Sequence, residues 1–150
     1  MKLPVQTLQQ VHTMLNTVPF LKTLRHSEIE ELAHTLNLRH FVKGETIIRQ
    51  GEPGKLFHLI FKGRVEIYRQ RLFGKKLLAT LGPGEFFGEI SLLDNTPRTA
   101  TVMGSEDGEM FTLSRDAFTN ILLKNPQIAT IIRQIGRARQ DSNKAAQGRS

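Results

Sequence analysis

A glycine, a carboxylate and a guanidinium stand close together in an otherwise apolar and threonine-rich run: Gly88, Glu89 and Arg98 in "FGEISLLDNTPRTATV", within residues 86–102. An anion held inside a folded domain needs a backbone that can approach it, amide groups at a helix start, and a cation. Gly88 has no Cβ and allows the approach. Ile90, Ser91, Leu92 and Leu93 could form one helical turn whose first amides point at the anion. Arg98 carries a planar fork of donors that fits phosphate oxygens two at a time. Glu89 is unsuited to phosphate because like charges repel, but its carboxylate can accept a hydrogen bond from a sugar hydroxyl. An acceptor for ribose beside a cation for phosphate describes the sugar-phosphate end of a nucleotide.

The elements that must position these groups follow from periodicity. Residues 1–36 read as a helical lead-in, with Leu8, Val11, Met14 and Leu15 on one face and Pro19 interrupting it. Ser27 and Glu30 have capping-box spacing for a second helix that buries Ile29, Leu32, Ala33 and Leu36. From residue 37 to 113 the pattern becomes short β-rich runs punctuated by Gly44, Gly51, Gly54, Gly63, Gly74, Gly82 and Gly84. Val65 and Ile67 alternate with Glu66 and Tyr68, and "RLFGKKLL" reads as a hairpin turning at Gly74. Ser114 is placed to cap a helix that ends before Pro126. A last helix carries Ile128, Ile131, Ile132 and Ile135 on one stripe, and the polar residues 141–150 are expected to fray. The expected fold is α+β: a β-roll, that is a jelly-roll-like antiparallel β-barrel, flanked by N-terminal helices and by two C-terminal helices within 114–140.

Composition removes several classes of function. The 150 residues suffice for one domain with a core, and 39% hydrophobic with 23% charged residues is ordinary globular usage. No apolar run reaches the roughly 20 residues that span a bilayer, so a cytoplasmic protein with no membrane partner is expected. Without cysteine there is no disulfide, thiolate metal site or cysteine-ligated cluster. His12, His26, His34, His40 and His58 lack compact metal-ligand spacing, so neither a metal nor a haem is expected. Glu106, Asp107 and Glu109 around Gly108 read as a solvated turn, and no nucleophile has a base and an orienting partner at hand, so no enzyme is expected. The net charge of +7 invites nucleic acid, but Arg133, Arg137, Arg139, Lys144 and Arg149 against Asp141 place much of the excess in the C-terminal tail.

With these residues in view, "FGEISLLDNTPRTATV" resembles the phosphate-binding cassette of the cyclic nucleotide-binding domain, the module shared by catabolite activator proteins and the regulatory parts of cyclic-nucleotide-dependent kinases and channels. "KGETIIRQGEPGKLFHLIFKGRVEIY" resembles the glycine-spaced strands of the same family, and the likeness covers about residues 18–134. It implies that Glu89 binds the ribose 2′-hydroxyl, that Arg98 binds the exocyclic oxygens of the cyclic phosphate, and that the backbone around Gly88, Ile90 and Ser91 completes the contacts. Ser91 stands where many members have alanine, a small matter for a backbone contact. Thr99 touches phosphate or, in cGMP-selective members, the guanine amino group; it leaves cAMP and cGMP both open. The organisation resembles bacterial members, which inclines the ligand to cAMP.

The resemblance further implies a C-terminal hinge and a lid helix over the base, with Ile132, Arg133 and Ile135 as lid contacts, and Ile131 or Arg137 beside them. The lid helix could also pair with its equivalent in a homodimer. No cofactor is implied besides the cyclic nucleotide ligand, and the effector protein or domain is left unnamed. After Gln140 there is no room for a helix-turn-helix, so DNA binding by this chain alone is not expected. Two alternatives remain: a scaffold whose nucleotide site is degenerate, and a ligand-binding fragment of a larger transcription regulator, channel or kinase.

Overall fold

The computed structural model describes residues 24–88 and 98–148, with Gln9 ahead of them. The first helix of the expected lead-in lies outside the described residues. Helix α1 spans His26–Thr35, two residues earlier than the Ser27–Glu30 spacing suggests. Its start is held by Glu28, whose Oε1 accepts the Arg25 N–H at 3.2 Å. Leu24, just ahead of the helix, and Leu32 within it are both buried in the helix-side core.

Eight strands follow: β1 Asn37–Phe41, β2 Thr46–Ile48, β3 Leu56–Lys62, β4 Val65–Gln70, β5 Lys75–Leu81, β6 Phe86–Phe87, β7 Thr101–Gly104 and β8 Gly108–Ser114. They form two four-stranded antiparallel sheets, ordered β1-β8-β3-β6 and β2-β7-β4-β5. This is the β-roll that the glycine punctuation predicts. Gly108, where the chain turns into β8, shows what that punctuation permits: a Cβ there would lie 2.1 Å from the Lys62 carbonyl and 2.5 Å from the Phe41 ring. Only glycine lets the backbone pass so close.

Between the sheets, Phe41, Ile48, Ile60, Val65, Leu81, Phe87, Val102 and Met110 form the inner core. A second core lies on the other face of the first sheet, where Phe57, Leu59, Phe86, Phe111 and Leu113 meet the helices. Strand β3 therefore is buried on both faces, with Phe57 and Leu59 toward the helices and His58 and Ile60 toward the roll interior.

Helix α2, Arg115–Lys124, is capped by Ser114, whose Oγ accepts the Ala117 N–H at 3.2 Å. Pro126 opens helix α3, Pro126–Gly148, as a first-turn proline can. Between the two helices the buried Asn125 donates to Glu28 Oε2 at 2.8 Å and to the Ile121 carbonyl at 3.1 Å, tying α1 to the α2–α3 junction. Helix α3 continues past Gln140 to Gly148. The polarity of "DSNKAAQG" removes a packing face, yet nothing in it breaks a helix before Gly148.

Candidate functional site

Arg98 is placed by its own backbone. Its N–H donates to the Glu52 carbonyl and its carbonyl accepts from the Gly51 N–H, both at 2.8 Å, so the β2–β3 loop clamps the residue on both sides. The side chain then turns inward and is only 8% exposed. Nη1 donates to the Gly88 carbonyl at 2.8 Å and Nη2 to the Leu56 carbonyl at 2.7 Å. The guanidinium thus bridges the end of β6 and the start of β3, with its plane fixed by two oxygens on different strands.

Gly88 meets the same guanidinium from the other side. Its φ of +91° lies in the left-handed region, and a Cβ would stand 2.8 Å from Arg98 Nη1 and 3.0 Å from the Leu56 oxygen. The structure therefore brings Gly88 and Arg98 into contact. Thr99 is exposed just after it. Glu89, Ile90 and Ser91 lie outside the described residues.

Arg98 opens onto a cavity of about 290 Å³ lined by Arg39, Ile47, Glu52, Pro53, Lys55, Leu56, His58 and Arg98. Three cations face one carboxylate there, and Glu52 also has Arg49 Nε at 3.9 Å, while Arg39 is paired with Glu45 at 2.5 Å. The cavity is thus biased toward an anion. His58, 3% exposed, stacks on Phe87 with ring centroids 4.6 Å apart and planes 6° off parallel. Its Nδ1 has no hydrogen-bond partner among the described residues. Burial, with the positive fields of Arg98 and Arg39 added to it, pushes the His58 pKa down to about 3. A neutral imidazole beside a fixed guanidinium is no acid/base pair at neutral pH. Among the described residues no group of three histidines or carboxylates could hold a metal ion.

The lid residues stand elsewhere. Ile132 is buried in the helix-side core with Ile128, and Ile131 and Ile135 pack against it. Arg133 and Arg137 are exposed. None of them lines the Arg98 cavity, because the first sheet lies between; in this conformation α3 is docked on the outer face of β3. Sequence reasoning missed His58, Arg39, Lys55 and the Leu56 carbonyl. His58 was within reach of it, since period-two alternation in "LFHLIFK" puts His58 and Ile60 on one side and Phe57 and Leu59 on the other.

Comparison with known proteins is specific. Residues 38–125 match the family model of the cyclic nucleotide-binding domain. The chain is 36% identical over 113 residues to the cAMP-dependent protein kinase regulatory subunit of Mycosarcoma maydis, covering 72% of this chain and 22% of that protein. It is 34% identical over 112 residues to the cyclic AMP receptor protein of Thermus thermophilus, covering 74% of this chain and 52% of that one. Among solved structures, the regulatory subunit of a cAMP-independent protein kinase A from Trypanosoma brucei superimposes with a TM-score of 0.82 at 25% identity, covering 97% of this chain and 52% of the other. The chain spans between about a fifth and a half of the length of these relatives. They come from a fungus, a bacterium and a trypanosome, so the organisation does not single out bacterial members.

Proposed function

Because this chain belongs to the cyclic nucleotide-binding domain family, we propose that it is a non-catalytic regulatory module that binds a cyclic nucleotide at Arg98 and relays occupancy to its C-terminal helices. The observation that supports this best is the buried Arg98 guanidinium, oriented by the Gly88 and Leu56 carbonyls at the wall of a cationic cavity. A fork held in this way is preorganised for two phosphate oxygens, so little ordering entropy is lost on binding. Glu89 takes the ribose hydroxyl, and the amides of Gly88, Ile90 and Ser91 the remaining sugar-phosphate contacts. Thr99, exposed next to Arg98, is the residue where adenine and guanine ligands part company.

Two of the relatives are named for cAMP, which favours cAMP, although a cGMP-dependent protein kinase 2 of Homo sapiens is also 34% identical over 113 residues and the trypanosomal relative is cAMP-independent. The relay to α2 and α3 requires a ligand that binds one packing of the helices better than the other. Ile132 and Arg133, with Ile135, then belong to a helix that leaves its present seat on β3.

The test is calorimetric titration of nucleotide-stripped protein with cAMP, cGMP and 5′-AMP, repeated with Arg98→Ala. Saturable binding of one cyclic nucleotide, with 5′-AMP much weaker, is expected. Loss of the charge-assisted bonds in Arg98→Ala lowers affinity about ten- to a hundredfold, since such bonds contribute roughly 1.5–3 kcal/mol. Failure of all three nucleotides to bind folded protein refutes the reading and leaves a scaffold with a degenerate site.

A further inference from the structure

We propose that the tip of the β4–β5 hairpin is a membrane-docking wedge that inserts Leu72 and Phe73 into the interface of an anionic lipid surface.

The geometry of the tip comes first. Strand β4 pairs with β7 only as far as Tyr68↔Thr101. Beyond that point β4 and β5 run on together through Arg69↔Lys76 and Gln70↔Lys75 with no third strand beside them. The turn is closed by the Arg71 N–H on the Gly74 carbonyl at 3.0 Å, with Gly74 at φ +78°. At about 3.4 Å per residue, two residue pairs and a turn project roughly 10 Å from the sheet.

At the apex stand Leu72 and Phe73, 91% and 90% exposed. Two adjacent large apolar side chains this exposed are not the scattered single hydrophobes that any surface tolerates. Around them Arg69, Arg71, Lys75 and Lys76 supply four cations, with no carboxylate anywhere between residues 69 and 76. Because Arg69 and Lys76 face each other while Lys75 points to the opposite face, over the Tyr68 ring at 4.4 Å, the charges collar the hairpin on both sides. Leu77, opposite Tyr68, is also exposed, on the same face as Lys75.

Lysine on an edge hairpin is by itself ordinary protection against strand pairing. That purpose does not account for Leu72 and Phe73, which work against it. An apolar apex with a basic collar does fit the boundary of an acidic bilayer. The two side chains enter the acyl region while the cations stay at headgroup level, each adding attraction to acidic lipid. A protein partner is the weaker fit, because a stable interface takes about 800 Å² from each side and a convex two-residue tip offers no such platform. Nothing here calls for a spanning segment: among the described residues no helix is long and apolar enough to cross a membrane, and peripheral docking needs none.

The chain has no tryptophan, so Phe73→Trp places a single reporter at the apex. The full chain is mixed with vesicles of phosphatidylcholine alone or with phosphatidylserine, and followed by co-sedimentation and by emission of the F73W variant. Co-sedimentation with the acidic vesicles only, weakened by salt, is expected. It should be accompanied by a blue shift in F73W and by quenching from brominated acyl chains. Leu72→Ser with Phe73→Ser lowers partitioning about tenfold or more, since the apolar area buried is the driving term. Arg71→Glu with Lys75→Glu abolishes the preference for phosphatidylserine. Both double variants alter exposed side chains and should keep the parent melting temperature. Absence of binding to acidic vesicles overturns the proposal. So does binding that L72S/F73S leaves unchanged, which assigns it to other basic residues, and so does an F73W emission that only a protein from the same cell shifts.

Discussion

His58 gives this fold an acid sensitivity that can be worked out from its surroundings. The imidazole is buried against Phe87, beside Arg98 and Arg39, with a pKa near 3 where an unfolded chain has about 6.5. Above pH 6.5 both states hold the ring neutral and nothing is lost. As pH falls below 6.5 the unfolded state takes up a proton that the native state refuses, so stability declines down to about pH 3. At pH 5 the unfolded ring is 1.5 units below its pKa, which makes the loss about 2 kcal/mol relative to neutral pH. His58→Phe keeps a flat ring against Phe87 and removes the titration. Its absolute stability will shift through packing, but its pH dependence lacks this one contribution. Urea unfolding of both proteins at pH 7 and pH 5 should show the parent losing about 2 kcal/mol more than the variant, with all other carboxylates and histidines cancelling in the difference. Equal losses in the two proteins would refute the reasoning and mean that His58 is protonated in the native state. A titration of the His58 ring signal by NMR reads the same quantity directly. An anion bound at Arg98 should move that signal's midpoint upward, because it offsets one of the two positive fields.

Other consequences are local. Gly88→Ala puts a methyl group 2.8 Å from Arg98 Nη1 at a φ of +91°, so it should destabilise the fold by about 1–3 kcal/mol and weaken nucleotide binding together with it; calorimetry showing unchanged affinity would separate Gly88 from the site. Asn125→Ala removes the buried amide that joins Glu28 to the end of α2 and should cost about 1–2 kcal/mol in urea unfolding. A variant as stable as the parent would show that α1 is held by apolar packing alone.

The β-roll was legible because glycine punctuation and strand alternation are both local signals; the contact of the Arg98 guanidinium with the Gly88 carbonyl was not, because it depends on where β3 and β6 bring the chain. The start of α1 was misplaced by two residues because Ser27–Glu30 and Arg25–Glu28 have the same three-residue spacing, and spacing alone does not say which of them closes. The end of α3 was misjudged because polarity reports the absence of a packing partner, not the absence of helix. Arg39, Lys55 and His58 reach the cavity from three places in the chain, and no spacing rule joins them before the sheet does. The seat of Ile132 needed the structure too: a stripe of isoleucines says that a face is buried but not against which side of which sheet.

On the proposed function, that seat offers a short path between a ligand at Arg98 and a helix on the far side of the sheet. The two oxygens that hold the guanidinium lie close in sequence to rings of the helix-side core: Leu56 directly precedes Phe57, and Gly88 lies two residues after Phe86, with the inner-core Phe87 between them. Phe57 in turn lies 5.5 Å from Phe86 and stacks on Phe118 of α2, with centroids 4.8 Å apart and planes 16° off parallel. Phe118 shares its core with Ile128 and Ile132 of α3. A phosphate that engaged the Arg98 fork while both carbonyls held it would transmit its pull to the start of β3 and the end of β6, and Phe57, next to Leu56, is the first helix-side ring on that path. Close-packed interiors resist continuous deformation and move between discrete arrangements. On the proposed function, a displacement of these rings would reach α2 through Phe118 and α3 through Ile128 and Ile132.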